Sequence, residues 1–303
     1  MDRRQLLAAT GAVSGALIIG VPGVARGASS TDPVPVPLDD LFDNNGIGVA
    51  AGDANLDGSG YGFPAAGLPT GAVTVDGVPY RLAASTAAGQ NDNVVALGQT
   101  VTVPAGQYVA AFLLAASSYG SAGGTATVHY ADGTTSSADI FAPDWYSGGA
   151  GAVTAPYRYS PWGTDQHPVA LYAVQVWMDP ARTARSITLP VTAAPAEGVS
   201  SMHVFALSMQ PAVAGAAVRL LRAAGTTRRM GYGRGRWAQI VDVTVLNVGT
   251  SWVTERSPLT VTVSADGVDT VVPATIRILA QCKEQQHTGS LPLKWQRACD
   301  LAK

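Results

Sequence analysis

The sequence predicts an all-β protein, in which a jelly-roll β-sandwich is followed by a smaller β unit. Gly accounts for 34 and Pro for 19 of the 303 residues, and only 13 % of the residues are charged against 47 % hydrophobic. This turn-rich composition excludes a chain disordered by charge and a coiled coil. Between residues 41 and 211, short β-branched runs alternate with turn signals and show almost no helical periodicity. The length is sufficient for about two domains.

Residues 1–27 are typical of a twin-arginine signal peptide. Arg3 and Arg4 precede an apolar run that ends near Gly27. A transmembrane anchor is the alternative, but the run is rich in Ala and Gly and contains Pro22. We therefore expect a secreted, extracytoplasmic protein that has no membrane contact after signal cleavage.

A Pro-rich linker is predicted at residues 28–37, where proline alternates with small apolar residues. The jelly-roll domain follows at residues 38–211. Asp-Gly pairs at positions 76–77 and 132–133 each follow a β-branched run, which is a strong hairpin signal. At least eight short strands at this spacing are typical of a sandwich or jelly roll. The predicted strands are residues 72–75, 93–97, 100–103, 108–115, 125–130, 169–177, 186–189 and 202–209.

A second β unit is predicted at residues 212–280. The charge balance changes near its start, because residues 31–218 carry 14 acidic and 4 basic side chains, whereas residues 219–303 carry 6 acidic and 12 basic ones. Such a change indicates two domains. The predicted strands are residues 218–221, 239–248, 259–264 and 275–279, with a hairpin turn at residues 265–267.

Residues 281–303 are predicted to be a foreign or disordered tail. All three lysines and both cysteines of the chain fall in this segment, which shows neither strand alternation nor a helical stripe. A shifted reading frame or an interrupted gene would explain this composition. The alternative is a genuine terminal extension closed by a disulfide between Cys282 and Cys299, which export would permit.

Two sets of segments resemble known modules. The first set is residues 41–46, 53–64, 77–80, 91–98, 116–120, 128–133, 143–146 and 202–207. Together they resemble a β-sandwich accessory module, of the carbohydrate-binding kind, from secreted actinobacterial glycoside hydrolases of the α-L-fucosidase and α-mannosidase type. Residues 212–280, with the segment 243–249, are similar to the immunoglobulin-like module found beside alpha-galactosidase-type catalytic domains. The resemblance implies a galactose-binding-like jelly roll followed by a partial, truncated immunoglobulin-like sandwich.

No catalytic residues are predicted, since the catalytic domain of those enzymes matches nothing in the chain. A retaining glycosidase needs two carboxyl groups about 5 Å apart, and the three glutamates, Glu197, Glu255 and Glu284, fall in loops and the tail. Nucleophile-elbow, phosphate-loop, dinucleotide and zinc motifs are missing from the sequence. Whether the protein is an enzyme stays open.

A calcium loop is one interpretation of the segment that begins at Asp53. Oxygen-bearing side chains at Asp53, Asn55 and Asp57 alternate before Gly58, as in the first half of a calcium-binding loop. Pro64 stands where the bidentate glutamate of such a loop would be, and no helix is predicted beside it. The alternative is a loop of Asx turns without a metal. A structural calcium ion is the only cofactor considered.

Aromatic and polar residues gather between positions 144 and 167. Sugars stack their C–H faces on exposed aromatic rings while polar side chains bind the hydroxyls, so this mixture indicates a glycan-binding loop. In the alternative, Trp145 and Tyr157 merely pack the loop against the sandwich. The candidate residues are Trp145, Tyr146, Tyr157, Trp162, Asp165 and His167.

These patterns predict a secreted non-catalytic carbohydrate-associated module, the accessory region of a glycoside hydrolase that lacks its catalytic domain. Its role would be weak binding of glycans or cell-wall polysaccharide, or spacing. Nucleic acid is not expected as a partner, because the formal net charge is −2 and the basic residues near position 230 fit a solvated hairpin. The alternatives are a glycosidase with an unrecognised catalytic region and a structural cell-surface protein without a ligand.

Overall fold

The computed structural model describes residues 17–20, 32–83, 88–231, 237–251, 260–265 and 268–272. The chain divides into two compact units, residues 23–257 and residues 1–22 with 258–303. The prediction of an all-β protein is confirmed, since the described residues form strands joined by turns and two short 3-10 turns, Asp39–Leu41 and Ala65–Gly67. In this described part no helix has the length and apolar character needed to span a membrane.

The strands of the described residues are numbered along the chain. They are β1 (Leu17–Gly20), β2 (Val34–Val36), β3 (Ile47–Gly48), β4 (Phe63–Pro64), β5 (Ala72–Val75), β6 (Val78–Arg81), β7 (Val94–Val95), β8 (Thr100–Ser118), β9 (Ala122–Tyr130), β10 (Thr135–Ala142), β11 (Val153–Ala155), β12 (Arg158–Ser160), β13 (Gly163–Asp165), β14 (Val169–Trp177), β15 (Thr183–Thr188), β16 (Ser201–Pro211), β17 (Val213–Ala216), β18 (Val218–Gly231), β19 (Trp237–Asn247), β20 (Gly249–Ser251), β21 (Thr260–Ala265) and β22 (Val268–Val272).

Strand β8 is the centre of the nine-stranded sheet. Its first half pairs with β15, which continues through β9 to β10. Its second half pairs with β14 on one side and with β16 on the other. The strand therefore belongs to both halves of the sheet, and nineteen residues give it the length to do so.

Pro104 interrupts the pairing of β8 without ending the strand. The sequence predicts two strands, residues 100–103 and 108–115, separated by Pro104 and Gly106. In the structure the partner of β15 shifts from Gly106 to Thr102 across an irregularity, so Pro104 falls where no regular ladder is made. Proline has no N–H to donate and is tolerated at such a bulge.

Both faces of the second half of β8 are buried in hydrophobic clusters. Alternate residues point to opposite faces of a strand, so Leu113 and Ala115 join the first cluster while Leu114 and Ala116 join the second. The first cluster packs β8 with β9, β14, β15 and β16. The second lies on the other face, where Phe63, Trp145 and Phe205 pack. This explains the continuous apolar run at residues 108–116.

The Pro-rich segment contains a strand, which differs from the extended linker predicted at residues 28–37. Strand β2 pairs antiparallel with β16, Val36 opposite Leu207, and Val36 is buried in the first cluster. Pro35 is accommodated because β2 pairs with β16 alone among the described strands, and a missing N–H costs little at an edge.

Both predicted Asp-Gly turns of the sandwich are confirmed. Strands β5 and β6 pair from Val75 to Val78, and the two residues between them have positive φ, 48° at Asp76 and 75° at Gly77, as a type I′ turn requires. At the second turn, Thr134 N–H and its hydroxyl donate to Asp132 Oδ1, and β9 pairs with β10. Strand β10 was not predicted, since its sequence is rich in Ser and Ala.

Residues 211–251 lie in the same compact unit as the sandwich. Strands β18 and β19 pair antiparallel, and Leu246 and Val248 are buried in the second cluster. In the other unit, β1 pairs with β21 and β21 with β22, so the strands that flank the predicted turn at residues 265–267 form an antiparallel pair. Most of residues 1–27, the strand predicted at 275–279 and the tail 281–303 lie outside the described residues, so these remain predictions.

A buried polar chain connects the loop after Phe42 to β16. Asp92 is 1 % exposed, and its carboxylate accepts hydrogen bonds from Gly46 N–H (3.0 Å) and Ile47 N–H (2.8 Å). Asn93 donates to the same carboxylate and accepts from Nδ1 of His203 over 3.0 Å. Burial lowers the pKa of His203 to about 3, so its ring is neutral.

Burial of Asp92 predicts a distinct pH dependence of stability. Desolvation raises its pKa from 3.8 to about 6, against the hydrogen bonds that lower it. The folded state then binds the proton more tightly than the unfolded chain. The contribution of Asp92 to the free energy of unfolding is therefore greatest below pH 4 and falls by about 3 kcal/mol as the pH rises to 6.

Urea unfolding of the wild type and Asp92→Asn between pH 3.5 and 7 measures this contribution. The difference in the free energy of unfolding between the wild type and Asp92→Asn should change across pH 4–6, because the variant lacks the titrating group. Asp139→Asn is the control, because Asp139 is exposed on β10. Its free energy of unfolding should change with pH in the same way as that of the wild type. Parallel profiles of wild type and Asp92→Asn would show that Asp92 does not titrate as expected.

Candidate functional site

A cleft of about 470 Å³ opens at one end of the sandwich. Four separate segments form it: the loop that ends at Phe63, the turn after β8, the β12–β13 hairpin and the loop before β16. It combines three aromatic rings with charged and hydroxyl groups. The residues that line it are Asp57, Gly58, Ser59, Tyr61, Tyr119, Arg158, Trp162 and Glu197.

The loop before Phe63 is closed by its own polar side chains. Oδ1 of Asp57, which is 4 % exposed, accepts hydrogen bonds from Ser59 N–H (2.9 Å) and Tyr61 N–H (3.2 Å). Oδ1 of Asn55 accepts from Gly60 N–H at 2.7 Å, and Oδ2 of Asp53 accepts from Ala50 N–H at 2.8 Å. The bond between Asp57 and Ser59 closes an Asx turn, the alternative to calcium that the sequence offers, and the other bonds hold the same loop over longer spacings.

The calcium hypothesis for Asp53, Asn55 and Asp57 remains a prediction. One oxygen of each side chain already accepts a backbone N–H. Across the described residues, no group of three or more His, Cys, Asp or Glu side chains is placed to hold a metal ion. The loop geometry therefore has an explanation in hydrogen bonding.

Gly58 allows the first loop to touch the loop that carries Glu197. Its φ is +81°, and a Cβ at this position would lie 2.6 Å from Ala196 Cα and 2.7 Å from Ala196 N. Only a residue without a side chain permits this approach of two backbones. The contact places Asp57 and Glu197 on the walls of the same cleft.

Tyr119 crosses the cleft from the end of β8. It has a φ of 52°, a left-handed conformation that is uncommon outside glycine. Its hydroxyl donates to Ser59 Oγ over 2.7 Å, and its carbonyl accepts from Ser200 Oγ over 2.5 Å. These two bonds hold a strained residue whose ring is 38 % exposed at the cleft.

Arg158 is stacked between two tyrosine rings. Its guanidinium carbon lies 4.2 Å from the ring centroids of both Tyr61 and Tyr146. Tyr146 stacks in turn on His167, with centroids 3.6 Å apart and an interplanar angle of 21°. Nε of Arg158 donates to Oδ2 of Asp165 over 2.8 Å. The planar guanidinium thus joins the first loop to the hairpin and to the aromatic segment after β10.

Trp162 is at the tip of the β12–β13 hairpin and is 85 % exposed. Ser160 Oγ accepts hydrogen bonds from Trp162 N–H and Gly163 N–H, which fixes the two-residue turn. The hairpin is attached to the first loop by two backbone bonds between Gly62 and Tyr159, of 2.9 and 3.1 Å. The Trp162 ring therefore projects into solvent from an ordered turn, 6.4 Å from the ring of Tyr61.

The structure separates the six predicted glycan-binding residues into four groups, of which buried Trp145 is one. Trp162 is in the cleft. Tyr146, Asp165 and His167 do not line the cleft; Tyr146 and Asp165 contact Arg158, and His167 stacks on Tyr146. Tyr157 is half-buried and packs edge-to-face on Tyr159, with centroids 5.6 Å apart.

Trp145 belongs to the core, which corrects its assignment as a stacking residue. It is 2 % exposed, and its ring centroid lies 4.9 Å from that of Phe63. Backbone bonds to Ser117 and Ala170 pin it between strands. Its ring cannot meet a ligand, so the packing alternative holds for this residue.

Six of the eight cleft residues were not predicted as site residues: Gly58, Ser59, Tyr61, Tyr119, Arg158 and Glu197. Ser59 and Tyr61 follow the predicted loop directly, and extending that loop by four residues would have included them. Tyr119 and Glu197 carry no local signal, because only the tertiary fold brings them to residues about 60 and 140 positions earlier.

The loop contact at Gly58 can be tested against a matched glycine. Gly58→Ala adds left-handed strain and a clash with the Ala196 backbone, whereas Gly133→Ala has the same φ of +81° with no atom within 4 Å. Strain costs each variant about 1–2 kcal/mol, and the clash should cost Gly58→Ala about 1–3 kcal/mol more. Urea unfolding gives both values. Equal losses would mean that the two loops do not touch as described.

Replacement of Arg158 by Lys tests the stack. Lysine keeps the charge but lacks the planar face, so Arg158→Lys should reduce the free energy of unfolding by about 1–2 kcal/mol. Arg182→Lys is the control, because Arg182 lies 5.7 Å from the Tyr130 ring and its side chain is 41 % exposed. Chemical denaturation should show a loss near zero for the control. If both variants keep wild-type stability, the stack does not stabilise the protein.

Comparison with known protein families identifies the sandwich. The model of the family described as AziU2-like beta-sandwich domain matches residues 30–210. This segment covers more than half of the chain and includes all eight residues that line the cleft. Among curated proteins, none matches the chain.

Proposed function

We propose that this chain, which belongs to the AziU2-like β-sandwich domain family, acts as a secreted non-catalytic carbohydrate-binding module through the cleft beside Trp162. The observation that carries the proposal is the exposure of Trp162, 85 %, on an ordered turn at the rim of a cleft. A large apolar ring held in water offers a flat surface to the C–H face of a sugar. Its rigid attachment reduces the entropy lost on binding.

The polar lining of the cleft suits sugar hydroxyls. Ser59 and Tyr119 already form a hydroxyl pair, and both hydroxyls keep further hydrogen-bonding capacity. Glu197 is exposed and adds an acceptor to the lining of the cleft. A few directional polar groups around an aromatic surface are the usual composition of a small-molecule site.

Export and association with a glycoside hydrolase are parts of the same proposal. Export is supported by Arg3 and Arg4 before the apolar run that ends near Gly27. The accessory role is supported by the resemblance of residues 38–211 and 212–280 to modules of secreted glycosidases.

Removal of the Trp162 ring tests the proposal. The full chain is screened on an array of chitin, chitosan, cellulose, xylan, mannan and peptidoglycan fragments, and the best ligand is titrated calorimetrically. Trp162→Ala should weaken binding by roughly 10- to 100-fold, equivalent to about 1–3 kcal/mol, because the stacking surface is lost. Its stability should stay within about 0.5 kcal/mol of wild type, since the ring is exposed.

Phe141→Ala is the matched control, since Phe141 is 61 % exposed on β10 and does not line the cleft. It should bind the ligand as the wild type does. The carbohydrate proposal fails if the intact chain binds nothing on the array. That result would favour a spacer or a structural surface protein. Equal effects of the two substitutions would locate the site elsewhere.

A glycosidase acting at the same cleft is the second candidate. One observation favours it: two carboxyl-bearing residues, Asp57 and Glu197, line the cleft, and a glycosidase uses such a pair. Release of nitrophenol from nitrophenyl α-L-fucoside or α-mannoside, and its loss in Glu197→Gln, would establish this activity. Binding without turnover would favour the non-catalytic module.

A further inference from the structure

We propose that the cleft prefers glycans with free amino groups, such as glucosamine oligomers, over their acetylated or hydroxylated counterparts. This inference rests on the proposed carbohydrate function and specifies the class of sugar. It follows from the distribution of charge in the cleft. The charge-bearing side chains that line it are two acids, Asp57 and Glu197, and one base, Arg158.

The positive charge of Arg158 is already engaged. Nε of Arg158 donates to Asp165 at 2.8 Å, and the guanidinium carbon lies 4.2 Å from the ring centroids of Tyr61 and Tyr146. Its side chain is only 15 % exposed. An anionic sugar would therefore find this cation paired, whereas the carboxyl groups of the cleft would repel it.

The two acids face a ligand differently. Asp57 is fixed and only 4 % exposed, since backbone N–H groups hold its Oδ1, and its negative charge acts on a ligand through the wall of the cleft. Glu197 is exposed in the loop before β16, next to Gly198, which has a φ of +74° and open space around it. One carboxyl group is thus preorganised and the other adjusts, which suits an ammonium group whose exact position varies with the sugar ring.

The aromatic rings add to this preference. An ammonium group is attracted to the face of a Trp or Tyr ring, and Trp162 and Tyr119 both present exposed rings here. The segment that contains the sandwich also carries a net negative charge, with 14 acidic against 4 basic residues between positions 31 and 218. A field of this sign concentrates cationic ligands near the surface. Stacking, ion pairing and long-range attraction therefore favour the same amino sugar.

Three oligosaccharides that differ in one substituent test the inference. Glucosamine, N-acetylglucosamine and glucose hexamers share a β-1,4-linked backbone and carry an amino, acetamido or hydroxyl group at carbon 2. Each is titrated calorimetrically into the full chain at pH 6 and low salt. The glucosamine hexamer should bind at least tenfold more tightly than the other two, and salt should reduce the difference. Equal affinities for the three would overturn the preference and leave a general glycan site.

Variants separate the cleft from diffuse charge attraction. Glu197→Gln should bring the glucosamine preference below about threefold, whereas Asp139→Asn, which removes the same formal charge from β10, should keep it. Trp162→Ala should weaken the binding of all hexamers. A preference that survives both Glu197→Gln and Trp162→Ala would be non-specific attraction and would contradict the inference.

The array distinguishes the two levels of failure. If the chain binds other glycans but none with a free amino group, the inference is wrong and the proposed function stands. If it binds no glycan at all, the proposed function fails and the inference fails with it.

Discussion

The stacking of Arg158 between Tyr61 and Tyr146 is the interaction on which the cleft depends. It connects the loop before Phe63 to the segment after β10 and to the β12–β13 hairpin, through two ring contacts and an Nε hydrogen bond to Asp165. Cation–π contacts are worth about 0.5–2 kcal/mol each, more when water is excluded. Because Arg158 begins β12, the stack also fixes the hairpin that carries Trp162.

The sandwich provides the rigid base for this arrangement. Strand β8 pairs with β14, β15 and β16, and its second half is buried on both faces, so the turn at its end starts from a fixed position. That turn contains Tyr119, whose left-handed backbone is unfavourable for a tyrosine. Strain of this kind persists where the surrounding structure over-determines it and is common at functional sites. The hydrogen bonds of Tyr119 to Ser59 and Ser200 supply that constraint.

Much of the fold could be predicted from local signals, whereas the site depends on tertiary packing. The Asp76-Gly77 turn and the apolar run of β14 act within a few residues, so the sequence shows them directly. The exposure of a tryptophan does not follow from its neighbours. Trp145 and Trp162 stand in similar aromatic contexts, yet strand contacts bury the first and a two-residue turn exposes the second. Tyr119 and Glu197 enter the cleft through the packing of loops, which no local pattern records.

Nuclear magnetic resonance of the six tryptophan indoles is the most direct test of the central claim, that the cleft beside Trp162 binds carbohydrate. The Trp162 signal is assigned by its loss in Trp162→Phe, and the best glycan from the array is added stepwise. We expect the Trp162 indole N–H to shift first and most, while that of buried Trp145 moves little. Saturation of the protein by the glycan with no change at Trp162 would contradict the claim.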